Sequence, residues 1–384
     1  MVRYTLSSHR PATLPMSTTI EKRSILDLEL EDLEGVGPAR AKKMREAGIG
    51  SVIQLATTSA EELAIETGWD KDAAASVIMS AQKLLRESNF LDKEFMTGDQ
   101  VLEKRRAIRR CSTGSSKLDE LLLGGIETHA ITEFFGEFGS GKSQLCHTLC
   151  VMARQPAPTG LDGDSIWIDT EGTFRPERID QIARARGLDP DDVLRHIHVA
   201  KVHNSSHLEL IVKELGKYIE QFNAKLVVVD SVISLHRAEF AGRGTLADRQ
   251  QRLNQLMHKL TRISEVYGIA TIITNQVQST PDTFFGDPTR PAGGNVIGHA
   301  STYRIYLRKA GSDRVAKIID SPYHAYGDVR FTVNEKGVDN IDDGSGSGAA
   351  AGKTTARTKK KTSGKDGEAA ATEDDNDKTA EGDI

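Results

Sequence analysis

Cysteine, tryptophan and long apolar runs are what this 384-residue chain has least of. Its three cysteines, Cys111, Cys146 and Cys150, lack the paired spacing of a zinc site and are too few for a disulfide framework, which suits a reducing cytosol. Cys146 and Cys150 lie four apart on a helical pattern, and core packing accounts for them better than a metal does. No stretch of about 18 apolar residues occurs, so nothing reads as a membrane span. The first 15 residues lack the apolar core of a secretory signal. An excess of positive charge is missing too: 50 Lys and Arg stand against 55 Asp and Glu, a net charge of −5. Any surface for a polyanion must therefore be local. These absences leave a cytoplasmic globular chain, long enough for one large domain and one small one.

One motif stands out. Gly136, Glu137, Phe138, Gly139, Ser140, Gly141, Lys142 and Ser143 match G-x-x-x-x-G-K-[ST] at every fixed position. The apolar run AITEFF precedes it and QLCHTLCVMA, with helical spacing, follows; strand, glycine loop and helix is the context that gives this motif meaning. The glycines allow a tight turn whose N–H groups converge on an anion, and the helix N-terminus adds its positive end. Lys142 reaches the outer phosphates and the Ser143 hydroxyl suits Mg²⁺. The motif implies binding of a nucleoside triphosphate.

Around it the chain divides by composition. Residues 1–24 carry no core pattern, and Met16 opens a more typical start, so the first residues are expected to be disordered or a start-codon artefact. Residues 25–88 are apolar at helical spacing and predict a small all-α domain. Its Gly35-Val36-Gly37-Pro38 turn suggests a helix-hairpin-helix, which can offer backbone N–H groups to a DNA phosphate beside Arg40, Lys42 and Lys43. A structural or protein-docking hairpin is the other reading. Residues 89–110 read as a linker in which Phe95 is either an anchor for a pocket elsewhere or a local packing contact. From residue 111 to 342, apolar strands SIWIDTEG, RHIHVAKV, KLVVVDS and GIATIITNQ alternate with helical patterns. They predict an α/β fold with a mostly parallel sheet covered on both faces, its ligands at the strand carboxyl ends. Three later alternating strands are expected to extend the sheet. Residues 343–384 collapse to Gly, Ser, Ala, Thr and charge, a composition that favours disorder.

Strand ends nominate the chemistry. Asp230 suits the Mg²⁺ shell near Ser143, and Glu171 suits orienting an attacking water. Gln276 could sense a γ-phosphate and pass the signal to residues 277–292, a Pro- and Gly-rich stretch without periodicity. There Phe284 and Phe285 are candidates for base contact and Arg290 for phosphate. Residues 236–252, carrying Arg237, Arg243, Arg249 and Arg252, form a second basic segment after a nucleotide-contacting strand. Solvated loops and an ordinary strand-end acid are the bland readings of these features.

With GEFGSGKSQLCH, IDTEGTFRPERI, VVVDSV, HRAEFAGRGTLADRQQRL, ITNQV and GDPTRPAGGNVIGHAS in this order, the chain resembles the RecA-like family of DNA strand-exchange recombinases, in its archaeal branch. The likeness runs from about residue 28 to 340. It implies a RecA-like P-loop ATPase core that uses ATP and Mg²⁺. It also implies a helical filament or ring of identical subunits on single-stranded DNA, exchange with homologous double-stranded DNA, recombination mediators as partners, and a nucleoid-associated location. Carried over by position, Glu171 becomes the catalytic glutamate, Arg178 packs on the adenine, Asp230 binds the metal and Gln276 senses the γ-phosphate. Arg243 falls in the first DNA loop and residues 277–292 form the second. His299 approaches the γ-phosphate across the subunit interface, and Asp320 to Pro322 cap the neighbour's nucleotide. The family's polymerisation motif is Phe-x-x-Ala; here Phe95 is followed by Gly98, which removes a methyl worth about 0.8 kcal/mol of burial. The implied function is an ATP-dependent recombinase. A paralogue that loads filaments without exchange and a hexameric helicase are the alternatives, against which the N-terminal unit and the long second loop both speak.

Overall fold

The computed structural model describes residues 28–88, 90–92, 95–240, 242, 244–279 and 289–341, with backbone only at 278–279 and 289–290. The expectations for residues 1–24 and for the charged tail from 343 lie outside them, as do Arg243, Phe284 and Phe285.

The N-terminal segment is helical. After a single 3₁₀ turn at Leu30–Asp32 come α1 (Pro38–Glu46), α2 (Val52–Thr57), α3 (Ala60–Thr67) and α4 (Lys71–Glu87). Their starts are set by capping: Ser51, Ser59 and Asp70 each accept backbone N–H groups of the first turn, and Pro38 stands at the first position of α1. Leu30, Met44, Leu55, Leu63 and Leu85 fill one small core. The element before the Gly35–Gly37 turn is a single turn of 3₁₀ helix, and α1 follows the turn. Gly35, at φ +78°, occupies the left-handed region that the turn requires.

The segment read as a linker is largely ordered. α5 (Gly98–Arg106) begins with a capping box between Thr97 and Gln100 and buries none of its residues, so no apolar stripe announced it. β1 (Arg110–Cys111) then pairs antiparallel with β2 (Ile126–Glu127) across α6 (Ser116–Leu121).

The large domain follows as β3 (Ala130–Gly136), α7 (Lys142–Ala153), β4 (Asp164–Asp169), α8 (Pro176–Ala185), α9 (Pro190–Arg195), β5 (Ile197–Lys201), α10 (Ser205–Phe222), β6 (Ala224–Asp230), α11 (Ser234–Glu239), α12 (Leu246–Tyr267) and β7 (Ala270–Asn275). Next come a short hairpin of β8 (Val277–Ser279) and β9 (Thr289–Pro291), α13 (Gly294–Ala300), β10 (Tyr303–Ala310), β11 (Asp313–Asp320), β12 (Asp328–Asn334) and β13 (Gly337–Asp339). Nine strands make one sheet in the order β13-β12-β11-β10-β3-β7-β6-β4-β5. From β10 to β5 all neighbours are parallel, and the last three strands join antiparallel.

Burial on both faces explains the continuous apolar strands. Along β6, Leu226 and Val228 enter one core with Trp167 and Phe134, while Val227 and Val229 enter the other with Ile131 and Met257. The parallel pairing brings the carboxyl ends of β3, β4, β6 and β7 to one edge, and the candidate site lies there. Two loops are shorter than the sequence suggested. α11 and α12 take up most of residues 236–252, and β8 and β9 close the base of 277–292 with Gln278 opposite Arg290. Three-residue arms are too short to show a strand period.

Candidate nucleotide and DNA site

The phosphate loop leaves β3 at Gly136 and enters α7 at Lys142. Glycine is needed at the first position because a Cβ would stand 2.1 Å from the Leu307 carbonyl oxygen. Gly139 and Gly141 take φ of +73° and +105°, which lets the loop curl around a small concave space. Lys142 donates to the carbonyls of Gly136 and Glu137 at 2.9 and 3.0 Å. Burial lowers its pKa, and the nearby Asp230 and Glu171 carboxylates oppose that shift.

Asp230 ends β6 and is almost wholly buried. Ser143 Oγ and Thr173 Oγ1 each donate to its Oδ2 at 2.7 Å, and Thr274 donates to the other oxygen. Sequence reasoning had paired Ser143 with Asp230, and the sheet brings them into contact. A hydroxyl and a carboxylate beside an anion-sized backbone cradle are hard oxygen donors of the kind Mg²⁺ takes, so these residues fit a magnesium–nucleotide pair.

Glu171 lies just past β4 on the surface. Its Oε1 accepts from Ser231 Oγ at 2.7 Å and from Gln276 Nε2 at 3.0 Å, so two residues nominated separately meet. Gln276 in turn accepts from Arg237, which sits on α11 rather than in a loop, at 3.4 Å. A polar chain thus runs from Glu171 through Gln276 to Arg237. Arg178 Nε donates to Gln144 on α7 at 2.7 Å, and its Nη2 donates to the Asn334 carbonyl at 2.6 Å. That places Arg178 beside the first turn of the phosphate-loop helix.

Other nominated residues are not gathered here. His299 is exposed on α13, Asp320 is exposed at the end of β11, and Pro322 is exposed beyond it. No hydrogen bond among the described residues joins any of the three to the phosphate loop. Phe95 is 92% exposed, so it is not a local packing contact, and Gly98 opens α5 with free space around it. In the N-terminal turn, Arg40 folds back to donate to the Gly35 carbonyl at 2.9 Å and lies over the Trp69 ring. Gly37 is extended at the N-cap of α1. Arg252 pairs with Glu209 and covers Phe240, which makes it part of the α12 surface rather than of a loop.

The sequence reading missed several residues. His147 is buried on α7: its Nδ1 meets the Ser143 carbonyl at 2.6 Å and its Nε2 accepts from the Arg175 N–H at 3.0 Å. It therefore ties the phosphate-loop helix to the turn carrying Glu171, packed against Trp167 and Phe174. The first contact has i,i+4 spacing and was readable; the second crosses between elements and was not. Lys309 and Arg314, on β10 and β11, lie against Gly139 and Gly141 and add positive charge at the loop. The three cysteines are buried in the core, and burial pushes the Cys150 thiol up to about 12.

This geometry sits in a recognisable relative group. The Rad51 family profile matches residues 104–341, and a SAM-like helix-hairpin-helix tandem matches residues 27–83. The chain belongs to the Rad51 family. It is also 49% identical over 322 residues to the "DNA repair and recombination protein RadA" of Cenarchaeum symbiosum (strain A), covering 83% of this chain and 81% of that protein. The Rad51 match takes in the phosphate loop, Glu171, Asp230, Gln276 and α5 from Lys104 onward, while the helix-hairpin-helix match takes in the Gly35–Gly37 turn. Among the described residues of this Rad51-family chain, no helix is long and apolar enough to cross a membrane.

Proposed function

We propose that the chain is a DNA-dependent ATPase of homologous recombination and repair. It assembles with copies of itself on single-stranded DNA, pairs that strand with a homologous duplex and exchanges strands. Membership of the Rad51 family and the printed name of its relative support this reading. The observation that carries it is the polar chain Glu171–Gln276–Arg237, because it connects a water-orienting carboxylate to both segments nominated for DNA.

The residues would act as follows. The loop from Gly136 to Ser143 holds the phosphates through backbone N–H groups and Lys142. Ser143 and Asp230 would hold Mg²⁺, which when bound neutralises phosphate charge. Glu171 orients the attacking water, held in place by Ser231 and Gln276. When a γ-phosphate draws the Gln276 amide toward itself, the bonds to Glu171 and Arg237 rearrange, and the hairpin that starts at Val277 receives the change. Arg178 borders the base. His299, Asp320 and Pro322 serve a neighbouring subunit's nucleotide, and Phe95 anchors that subunit. Residues 25–88 would form the helix-hairpin-helix domain, 89–110 the assembly linker and 111–342 the ATPase core, with recombination mediators as further partners.

The decisive experiment measures ATP hydrolysis with and without single-stranded DNA, together with strand exchange on homologous substrates. Stimulated hydrolysis accompanied by exchange is the expected result. Hydrolysis or DNA binding without exchange would overturn the recombinase reading in favour of a filament-loading paralogue.

A further inference from the structure

Glu133 lies on β3, shortly before the phosphate loop, and is completely buried. Its cross-strand partners are Arg304 on β10 and Ile273 on β7. Each carboxylate oxygen has a donor: Arg304 Nε reaches Oε2 at 2.6 Å, and Asn275 Nδ2 reaches Oε1 at 2.8 Å. The same Asn275 nitrogen donates to the Ala292 carbonyl at 2.7 Å, and the Ala292 N–H donates to the Gln276 carbonyl at 2.8 Å. These last two bonds close the neck of the β8–β9 hairpin. On the other side the Arg304 guanidinium packs against α13, where a Cβ on Gly298 would come within 2.8 Å of it; the next residue is His299.

One buried carboxylate therefore joins three parts: the phosphate-loop strand, the neck of the hairpin and the helix bearing His299. Stability is a weak reason for such a pair, because apolar residues of similar volume often hold a core equally well. Asn275 Oδ1 and Arg304 Nη2 are also buried without partners among the described residues, so the network is not arranged for maximal satisfaction in this one conformation.

We propose that Glu133 is a positioning residue that couples the phosphate loop to the DNA-facing hairpin. A shift at the end of β3 moves the carboxylate. Asn275 carries that movement to Ala292 and the backbone of Gln276, and Arg304 carries it to α13. This second route runs beside the Glu171–Gln276 contact and reaches the hairpin from below. The inference rests on the reading of residues 277–292 as a DNA-contacting segment.

The test compares the full-length wild type with Glu133→Gln, Asn275→Ala and Arg304→Lys. Hydrolysis is measured without DNA and with single-stranded DNA, and thermal unfolding is recorded for each. Glu133→Gln should keep DNA-free hydrolysis within about twofold but lose about tenfold of the stimulation by DNA, a coupling of ordinary allosteric size. Asn275→Ala should lose stimulation as well, and it avoids leaving Arg304 without its carboxylate. Arg304→Lys keeps a cation on Glu133 and leaves the Asn275 bonds intact, so it should retain most of the stimulation. Folded Glu133→Gln and Asn275→Ala proteins with wild-type stimulation would overturn the proposal. So would equal losses of both rates, which damage to the sheet alone would produce. A wild type whose hydrolysis ignores DNA would instead refute the proposed function, and the inference with it.

Discussion

The residues assigned to the nucleotide site and to self-assembly fall into two groups that are held very differently. Ser143, Asp230, Glu171 and Gln276 are bonded to one another or to shared neighbours, and Asp230 is buried among three hydroxyls. Phe95, Phe138, His299, Asp320 and Pro322 stand on the surface, with Phe95 and Phe138 at 92% and 97% exposure. The inward group is preorganised by the sheet, so its geometry exists before any partner arrives. The outward group gains little from its own chain. An unburied phenylalanine forgoes about 1.5–3 kcal/mol that a pocket on another molecule would recover. One half of the site is thus a property of the fold, and the proposed function assigns the other half to assembly.

Experiments can separate the halves, beginning with the strongest effect. Glu171→Gln should slow hydrolysis by about 10²–10³-fold and leave ATP binding and self-association intact; a change in assembly of equal size would erase the distinction. Phe95→Glu should do the opposite. Loss of about 1.5–3 kcal/mol of burial weakens self-association roughly 10–100-fold, seen as monomers in sedimentation, while ATP still binds. Arg243→Ala should reduce the salt dependence of single-strand binding by about 0.7 in logarithmic slope, and an unaltered slope would remove this arginine from phosphate contact.

The support behind the inward group should also be sensitive to acid, through His147. Burial lowers the pKa of His147, whose two ring nitrogens are engaged as a neutral imidazole. Below about pH 6.5 the unfolded chain therefore binds a proton that the folded chain resists. Stability should be full above that pH and decline as pH falls toward the lowered folded value. His147→Gln should flatten this decline in melting curves, with a residual slope from His129 and His236, which burial lowers in the same direction. A steeper decline in the variant would contradict the assignment. The smallest effect belongs to Gly98→Ala. A methyl there meets nothing among the described residues and stands at a helix start. It should stabilise the fold by about 0.4–1 kcal/mol and tighten self-association by less than about fivefold. Weaker assembly would mean that the neighbour's surface has adapted to glycine.

What could be read in the chain beforehand followed the range of each interaction. The phosphate loop was legible because its glycines, lysine and serine are adjacent and their backbone demands are local. Asp230 and Gln276 were legible as the ends of apolar strands. α5 was not recognised, although Thr97 and Gln100 carry a capping signal, because a helix exposed on all sides has no apolar stripe to reveal it. The stem of the second loop escaped for want of length.

The sequence by itself determined the elements: where strands stop, where helices are capped and which turns need glycine, all matters of neighbouring residues. It also determined, through continuous apolar runs in the central strands, that the sheet would be mostly parallel and covered on both faces there. Tertiary structure alone decided who meets whom. Placing β7 between β3 and β6 sets Gln276 on Glu171, Asn275 on Glu133 and Ser143 on Asp230. Those contacts join residues 87 to 142 positions apart, and no local preference encodes them. Strand order is chosen by the simultaneous burial of two cores, a condition that only the whole folded chain can satisfy.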